Sequence, residues 1–336
     1  MILLAALAAL ALQTPPAAGP SAPPTTTPAA QPAAQTVGFT RMEVADDAGP
    51  AIEVGIWTPP TTGAEHDVRR PLIVISHGNG GDFRSHEATA RALAQAGFTV
   101  AALTHTGDNW RDQSQAADVA QRPRQIHVLI DYLTGQWDGR AGIDPNRIGA
   151  FGFSSGGFSV LTAAGGKPDL SRVIDHCRAN PNFYDCRLVS AHPEAIQAAA
   201  VQNWVHDTRI KAVAAAAPAL GFTFTREGLS GVTQPVQLWR AEADHVLPSP
   251  FYAEPVRDAL PSPPEYRVVP GADHFDFLPP CSARLAAAAP IICVATPGFD
   301  RAAFQDGFNR EIIRFFSQTL SPKAGPARGL EKASQP

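Results

Sequence analysis

The chain has 336 residues, 44% hydrophobic and 17% charged, with 27 Lys and Arg against 31 Asp and Glu and a net charge of -4. That composition supplies an apolar core, and without a basic stripe it argues against a nucleic-acid partner. Beyond the N-terminal segment no apolar run reaches the ~20 residues needed to cross a bilayer, and no repeat period is visible.

Ile2 to Leu12 is an unbroken run of Ile, Leu and Ala, too short to span a membrane and of the length of a signal-peptide core. Residues 1–19 are therefore read as a signal peptide, cleaved after Ala11 or near Ala18-Gly19, although no Lys or Arg precedes the apolar run. Thr14 to Thr36 is almost wholly Pro, Ala, Thr, Gln, Ser and Gly. Such a stretch cannot bury enough apolar surface to offset its chain entropy, so residues 20–36 are expected to be a disordered linker, and 321–336 a disordered tail. That leaves 37–320 for one fold, exported to the periplasm or the medium.

Phe39–Val44 and Ile52–Thr58 alternate apolar and polar residues around Asp46-Asp47-Ala48-Gly49-Pro50, the pattern of an antiparallel hairpin. Pro71–Ser76 and Phe98–Leu103 are continuous apolar runs, typical of strands buried on both faces. Between them Glu87–Ala96 reads as a helix stopped by Gly97. Arg124–Leu133 places Ile126, Leu129, Ile130 and Leu133 at helical spacing. Arg147–Phe153 is another buried strand, and Phe158–Ala164 continues as a helix. From Gly165 to Asp207 the alternation breaks, and this stretch is read as an insertion capping the site. Strands resume at Ile210–Ala217, Val236–Ala241 and Tyr266–Val269, with a short helix at Phe251–Leu260. A closing helix over Phe304–Leu320 carries Phe304, Phe308, Ile312, Phe315 and Phe316 on one stripe, which is read as core packing. Alternating buried strands and helices predict an α/β fold: a mostly parallel central sheet with helices on both faces.

The segment joining strand 147–153 to its helix is Gly152-Phe153-Ser154-Ser155-Gly156-Gly157. Strand, then G-x-S-x-G, then helix is the context of a nucleophile elbow. The chain must turn so sharply that Ser154 takes a strained conformation, side chains at 152 and 156 would clash, and Gly157 lets the helix approach closely. A serine hydroxyl is a poor nucleophile at neutral pH and needs a base within reach and a third group to orient it. On this fold they follow in the order serine, acid, histidine, in loops after strands. The acid is assigned to Asp244, in Ala241-Glu242-Ala243-Asp244-His245, with Glu242 as its rival. Of ten histidines, His274 follows the Tyr266–Val269 strand and is assigned as base; His245 lies beside the acid on the wrong loop. The oxyanion of an acyl-transfer intermediate needs donors already in place. Backbone N–H groups of Ser155 and of Asn79, in Ser76-His77-Gly78-Asn79-Gly80-Gly81, are assigned that role, and His77 is expected to hold the loop. Trp110 and Phe153 are candidate pocket walls, and His105 and Asp108 either line the site or support it.

The four cysteines form two sequence-local pairs without C-x-x-C spacing, so the reading is two disulfides, Cys177–Cys186 and Cys281–Cys293, with other pairings open. The second would brace the segment after His274. No cofactor is expected, and no cluster has metal-ligand spacing.

The H-G-N-G-G loop, the G-F-S-S-G-G elbow, Asp244 and the late G-A-D-H-F together resemble the α/β-hydrolase family over 37–320. More narrowly, Pro71–Gly81, Gly97–Gly107 and Ile143–Gly157 are similar to bacterial dienelactone hydrolases that resemble platelet-activating-factor acetylhydrolases. The resemblance implies a Ser154–Asp244–His274 triad with Asn79 and Ser155 as oxyanion donors. It has one departure: dienelactone hydrolases proper use a cysteine where this chain has Ser154. What it implies is a general serine carboxylesterase acting on a small-molecule or lipid-like ester. A peptidase or amidase of the same fold, and a non-catalytic binding protein on this scaffold, are the alternatives.

Overall fold

The computed structural model describes residues 36–60, 68–193 and 204–322. The segment read as a signal peptide, all but the last residue of the linker, and all but the first two residues of the tail lie outside those residues.

Eight strands form one sheet: β1 Gly38–Val44, β2 Ile52–Thr58, β3 Arg70–Ser76, β4 Thr99–Thr104, β5 Ile143–Phe153, β6 Ile210–Ala216, β7 Val236–Ala241 and β8 Glu265–Val269. Their order is β1-β2-β4-β3-β5-β6-β7-β8. The expected hairpin pairs Val44 with Ile52 and Gly38 with Thr58, and β2 joins β4, also antiparallel. Every pairing from β4 through β3 to β8 is parallel.

The period-two alternation of a strand divides the core into two layers. Leu72 and Val74 face one side, against Ile126, Leu129, Ile130 and Leu133 of helix α2 (Gln121–Gly135) and Phe158 and Leu161 of α3 (Ser155–Ala163). Ile73 and Ile75 face the other, against Leu93 and Ala94 of α1 (Glu87–Gln95) and Phe308, Ile312, Phe315 and Phe316 of the closing helix Arg301–Thr319. The aromatic stripe is thus core. It fits because β5 carries Gly149, where a Cβ would come within 2.6 Å of the Phe316 ring. The fold is the α/β-hydrolase fold, with helices on both faces of a mostly parallel sheet.

From β3 the chain moves outward to β4, then crosses back to lay β5 on the other side of β3. That reversal is a topological switch point, the place at the C-terminal ends of the strands where open α/β sheets bind their ligands. The loops after β3 and β5, carrying Asn79 and Ser154, flank it.

Within the 165–207 insertion two short helices stand among the described residues, α4 (Arg172–Ala179) and α5 (Tyr184–Ala191). Only Val173 of α4 and Asp185 and Cys186 of α5 are buried, so neither helix leaves a strong apolar period in the sequence. Cys177–Cys186 and Cys281–Cys293 are disulfide-bonded, with Cα separations of 5.1 and 5.7 Å. Among the described residues no helix is long and apolar enough to cross a membrane.

Candidate active site

Ser154 sits at φ 56°, ψ -121°, a conformation that costs a non-glycine residue about 1–3 kcal/mol and persists only where its surroundings impose it. They do so through both peptide groups: Ser154 N–H donates to Ala216 O at 2.9 Å, and its carbonyl accepts from Ala219 N–H at 3.0 Å. The flanking glycines are required sterically. A Cβ at 152 would lie 2.1 Å from Gly156 O, and one at 156 would lie 2.0 Å from Ser76 O. At Gly157 a Cβ would meet Pro218 Cα at 2.9 Å, so α3 is drawn close to the segment after β6.

The loops after β7 and β8 bring Asp244 and His274 to this serine. His274 Nε2 lies 3.1 Å from Ser154 Oγ, and Nδ1 lies 2.8 Å from Asp244 Oδ2. Asp244 Oδ1 accepts from Val246 N–H and Leu247 N–H at 3.0 and 2.7 Å. With that oxygen occupied, Oδ2 is left for the imidazole. A carboxylate at Nδ1 sets the tautomer: Nδ1–H donates, leaving Nε2 as the acceptor that faces Ser154 Oγ. The ring is only 2% exposed and packs at a tilt against Phe153, with centroids 4.8 Å and planes 38° apart.

The rivals have other partners. Glu242 Oε2 accepts from Gly271 N–H at 2.9 Å, tying the acid loop to the histidine loop. His245 is exposed and pairs with Asp273, whose carboxylate also caps the 3-10 turn beginning at His274. That turn is held from behind: buried Asp276 accepts from Arg301 Nε at 2.9 Å and from Thr296 Oγ1 at 2.7 Å. Arg301 continues to the carbonyls of Ile292 and Val294, on either side of Cys293. The Cys281–Cys293 loop and the closing helix are thereby coupled to the turn bearing His274.

Ser155 N–H lies in the first turn of α3, where a helix leaves its N–H groups without intrahelical partners. Asn79 stands opposite on a loop with an unexpected foundation. Its Nδ2 donates to Asp108 Oδ1 at 2.7 Å, and Gly80 N–H donates to the same oxygen at 2.9 Å. Asp108 pairs with Arg122, whose side chain is 2% exposed. Arg122 also donates to the His77 carbonyl and, at 2.9 Å, to Ser159 Oγ of α3. One buried guanidinium thus ties together the loop carrying Asn79, the segment after β4 and helix α3. Sequence reasoning missed it, because an arginine in a helix ordinarily faces water. The one available signal was that Asp108 closely follows a strand end.

His77 holds its loop as expected: His105 N–H donates to its Nε2 at 3.0 Å, so Nδ1–H donates to Gly78 O. His105 bonds Ser76 Oγ and Gln125 Oε1, each at 2.8 Å. His86 is buried edge-on to Phe151 and Phe153, and among the described residues neither of its ring nitrogens has a partner. Burial pushes His77 and His86 down to about 3, and His105 well below its ordinary range.

The folded protein therefore keeps these rings neutral, whereas the unfolded chain protonates them near pH 6.5. Unfolding takes up protons between those limits, so stability falls as pH drops. His77 and His86 together should cost about 5 kcal/mol on going from pH 7 to 4.5. The urea midpoint should fall steeply over that interval, and less so in His86→Phe. A midpoint independent of pH there would contradict this account.

Phe153 packs between the rings of His274 and His86. Trp110 is 62% exposed, with the Arg111 guanidinium 4.9 Å from its ring. From the insertion, Tyr184 hydrogen-bonds Asn79 Oδ1. Among the described residues one three-donor group has metal-compatible spacing, His176, Asp185 and Cys186, and its sulfur is already in the disulfide. Two grooves of about 400 and 840 Å³ open elsewhere, lined by Ile143 and by Ile210 at the N-terminal ends of their strands.

No family model matches the chain. A stretch of 82 residues is 38% identical to bis(hydroxyethyl) terephthalate hydrolase of Streptomyces coelicolor, covering 24% of each chain. The chain spans 24% to 39% of the length of the curated relatives it matches. Among solved structures, a ferulic acid esterase from Streptomyces cinnamoneus superposes with TM-score 0.58 at 18% identity, covering 88% of this chain and 94% of that one. A dienelactone hydrolase from Anabaena variabilis superposes with TM-score 0.53 at 15% identity, covering 85% and 99%. At those identities the likeness is one of fold, and the resemblance to α/β-hydrolase esterases stands.

Proposed function

We propose that this chain, an α/β-hydrolase by fold, cleaves carboxylic esters through an acyl-enzyme. The observation that carries the reading is the continuous hydrogen-bonded line Asp244–His274–Ser154, ending on a serine held at positive φ. In the proposed reaction Ser154 Oγ attacks the ester carbonyl while His274 Nε2 takes its proton. Asp244 keeps Nδ1 protonated and stabilises the imidazolium. The carbonyl oxygen becomes an oxyanion, received by the N–H groups of Ser155 and Asn79. Collapse expels the alcohol, protonated by His274. Water, with His274 again as base, then releases the acid and restores Ser154.

The named relatives support a small-molecule ester as substrate. Two disulfides support an exported setting, because such bonds persist in oxidising compartments. A panel of p-nitrophenyl esters of graded acyl length, run beside peptide anilides, tests the reading. Ester turnover with stoichiometric fluorophosphonate labelling is the expected result. Anilide cleavage without ester turnover would favour a peptidase, and no labelling would remove Ser154 as nucleophile.

A further inference from the structure

The 165–207 insertion, read from the sequence as a cap, makes a hydrogen bond to the loop that carries Asn79. Tyr184, on α5, donates its phenolic hydrogen to Asn79 Oδ1, across 105 residues of sequence. The Asn79 amide is thereby held from both ends: its oxygen by Tyr184, its nitrogen by Asp108. A side chain clamped at both polar atoms cannot rotate without breaking one bond, so its own peptide, the proposed oxyanion donor, is fixed in direction.

Tyr184 is itself fixed. Two residues on, Cys186 is bonded to Cys177 of α4. Between them, buried Asp185 accepts from Tyr252 Oη at 2.8 Å, and Tyr252 belongs to the segment that follows Asp244. His176 of α4 stacks on Phe222, with ring centroids 3.7 Å apart and planes 11° apart, close to the turn after β6. The insertion is thus anchored to the acid side of the site and reaches across to the oxyanion side.

We infer that Tyr184 is a positioning residue, through which the insertion aligns the Asn79 N–H with the developing oxyanion; this rests on the ester-hydrolase reading above. Removing an oxyanion donor outright costs about 10²–10³ in kcat. Loosening one that remains present should cost less, about tenfold. Because the oxyanion exists only in the tetrahedral states, the loss belongs in kcat and not in KM.

The experiment is a double-mutant cycle of Tyr184→Phe and Asn79→Ala in the full chain, with active sites titrated to completion by a fluorophosphonate. Neither substitution removes the backbone N–H at 79. Per titrated site, Tyr184→Phe should lower kcat for p-nitrophenyl butyrate about tenfold, with KM within about twofold. Its affinity for an alkylboronic acid, which forms a tetrahedral adduct on the serine, should weaken by the same factor. In the Asn79→Ala background the same change should alter kcat less than about twofold, because the hydroxyl has lost the group it acts through. The inference is overturned if Tyr184→Phe matches wild type, if it costs the same factor in both backgrounds, or if the loss disappears on titration. A wild type that neither labels nor turns over esters instead sinks the site reading, and the inference with it.

Discussion

Ser154→Ala should lower kcat for ester hydrolysis by roughly 10⁴- to 10⁶-fold and abolish fluorophosphonate labelling, while leaving the fold intact. The size follows from the arrangement: without Oγ there is no atom to attack or to carry the acyl group, and His274 and Asp244 have nothing to activate. The intact fold follows from the backbone. Alanine at φ 56° bears the same Cβ as serine, and the bonds from Ser154 N–H to Ala216 and from Ala219 N–H to Ser154 O use main-chain atoms only. Asp244→Asn separates orientation from nucleophilicity. Its Oδ1 can still accept from Val246 and Leu247, so its amide nitrogen then faces His274 Nδ1. Nδ1 must become the acceptor, and Nε2 carries its hydrogen toward the serine it should deprotonate. A fall of about 10⁴ in kcat with little change in KM is expected. Retention of more than about a hundredth of wild-type kcat in Ser154→Ala, measured per mole of folded protein, would refute the assignment.

Arg122→Leu should be the most damaging change to stability among residues that never touch the reacting atoms, at about 3–5 kcal/mol. Asp108 would remain buried, still accepting from Asn79 and Gly80 but without its counter-charge. The His77 carbonyl and Ser159 would lose a donor as well. Urea unfolding reads the loss directly, and activity per folded molecule should fall too, since the loop carrying Asn79 rests on this pair. Arg178→Leu is the control: its partner Asp175 and Arg178 itself are 82% and 73% exposed, and such pairs contribute 0–1 kcal/mol. Equal effects of the two substitutions would show that burial of Arg122 carries no energetic weight.

The contrast between Ser154 and Arg122 explains what the sequence disclosed. The elbow was legible because its geometry forbids a Cβ at 152 and 156, which leaves a local glycine signature. Strands such as β3 were legible because burial on both faces forces a continuous apolar run. The cysteine pairing was legible because each pair is separated by 9 or 12 residues. Arg122 left no signature, since the contacts that bury it come from elements 14 to 46 residues away. Tyr184 was hidden for the same reason. The placement of β4 outside β3 was not readable either, because strand order depends on crossovers and not on composition. Ser282, whose side chain caps the exposed helix Ala283–Ala288 at Leu285 N–H, is by contrast a local signal.

The wide spacing of Ser154, Asp244 and His274 also bears on the timing of synthesis. On the proposed reading, a ribosome releases the nucleophile 120 residues before its base. The base in turn rests on Asp276, whose guanidinium partner Arg301 opens the closing helix. A nascent chain that already displays the elbow therefore has no means of activating it. Hydrolysis by the proposed route would then begin only when almost the whole domain has emerged and folded. A hydrolase that crosses a membrane before folding would travel as an inert precursor, with no inhibitor or propeptide needed to silence it.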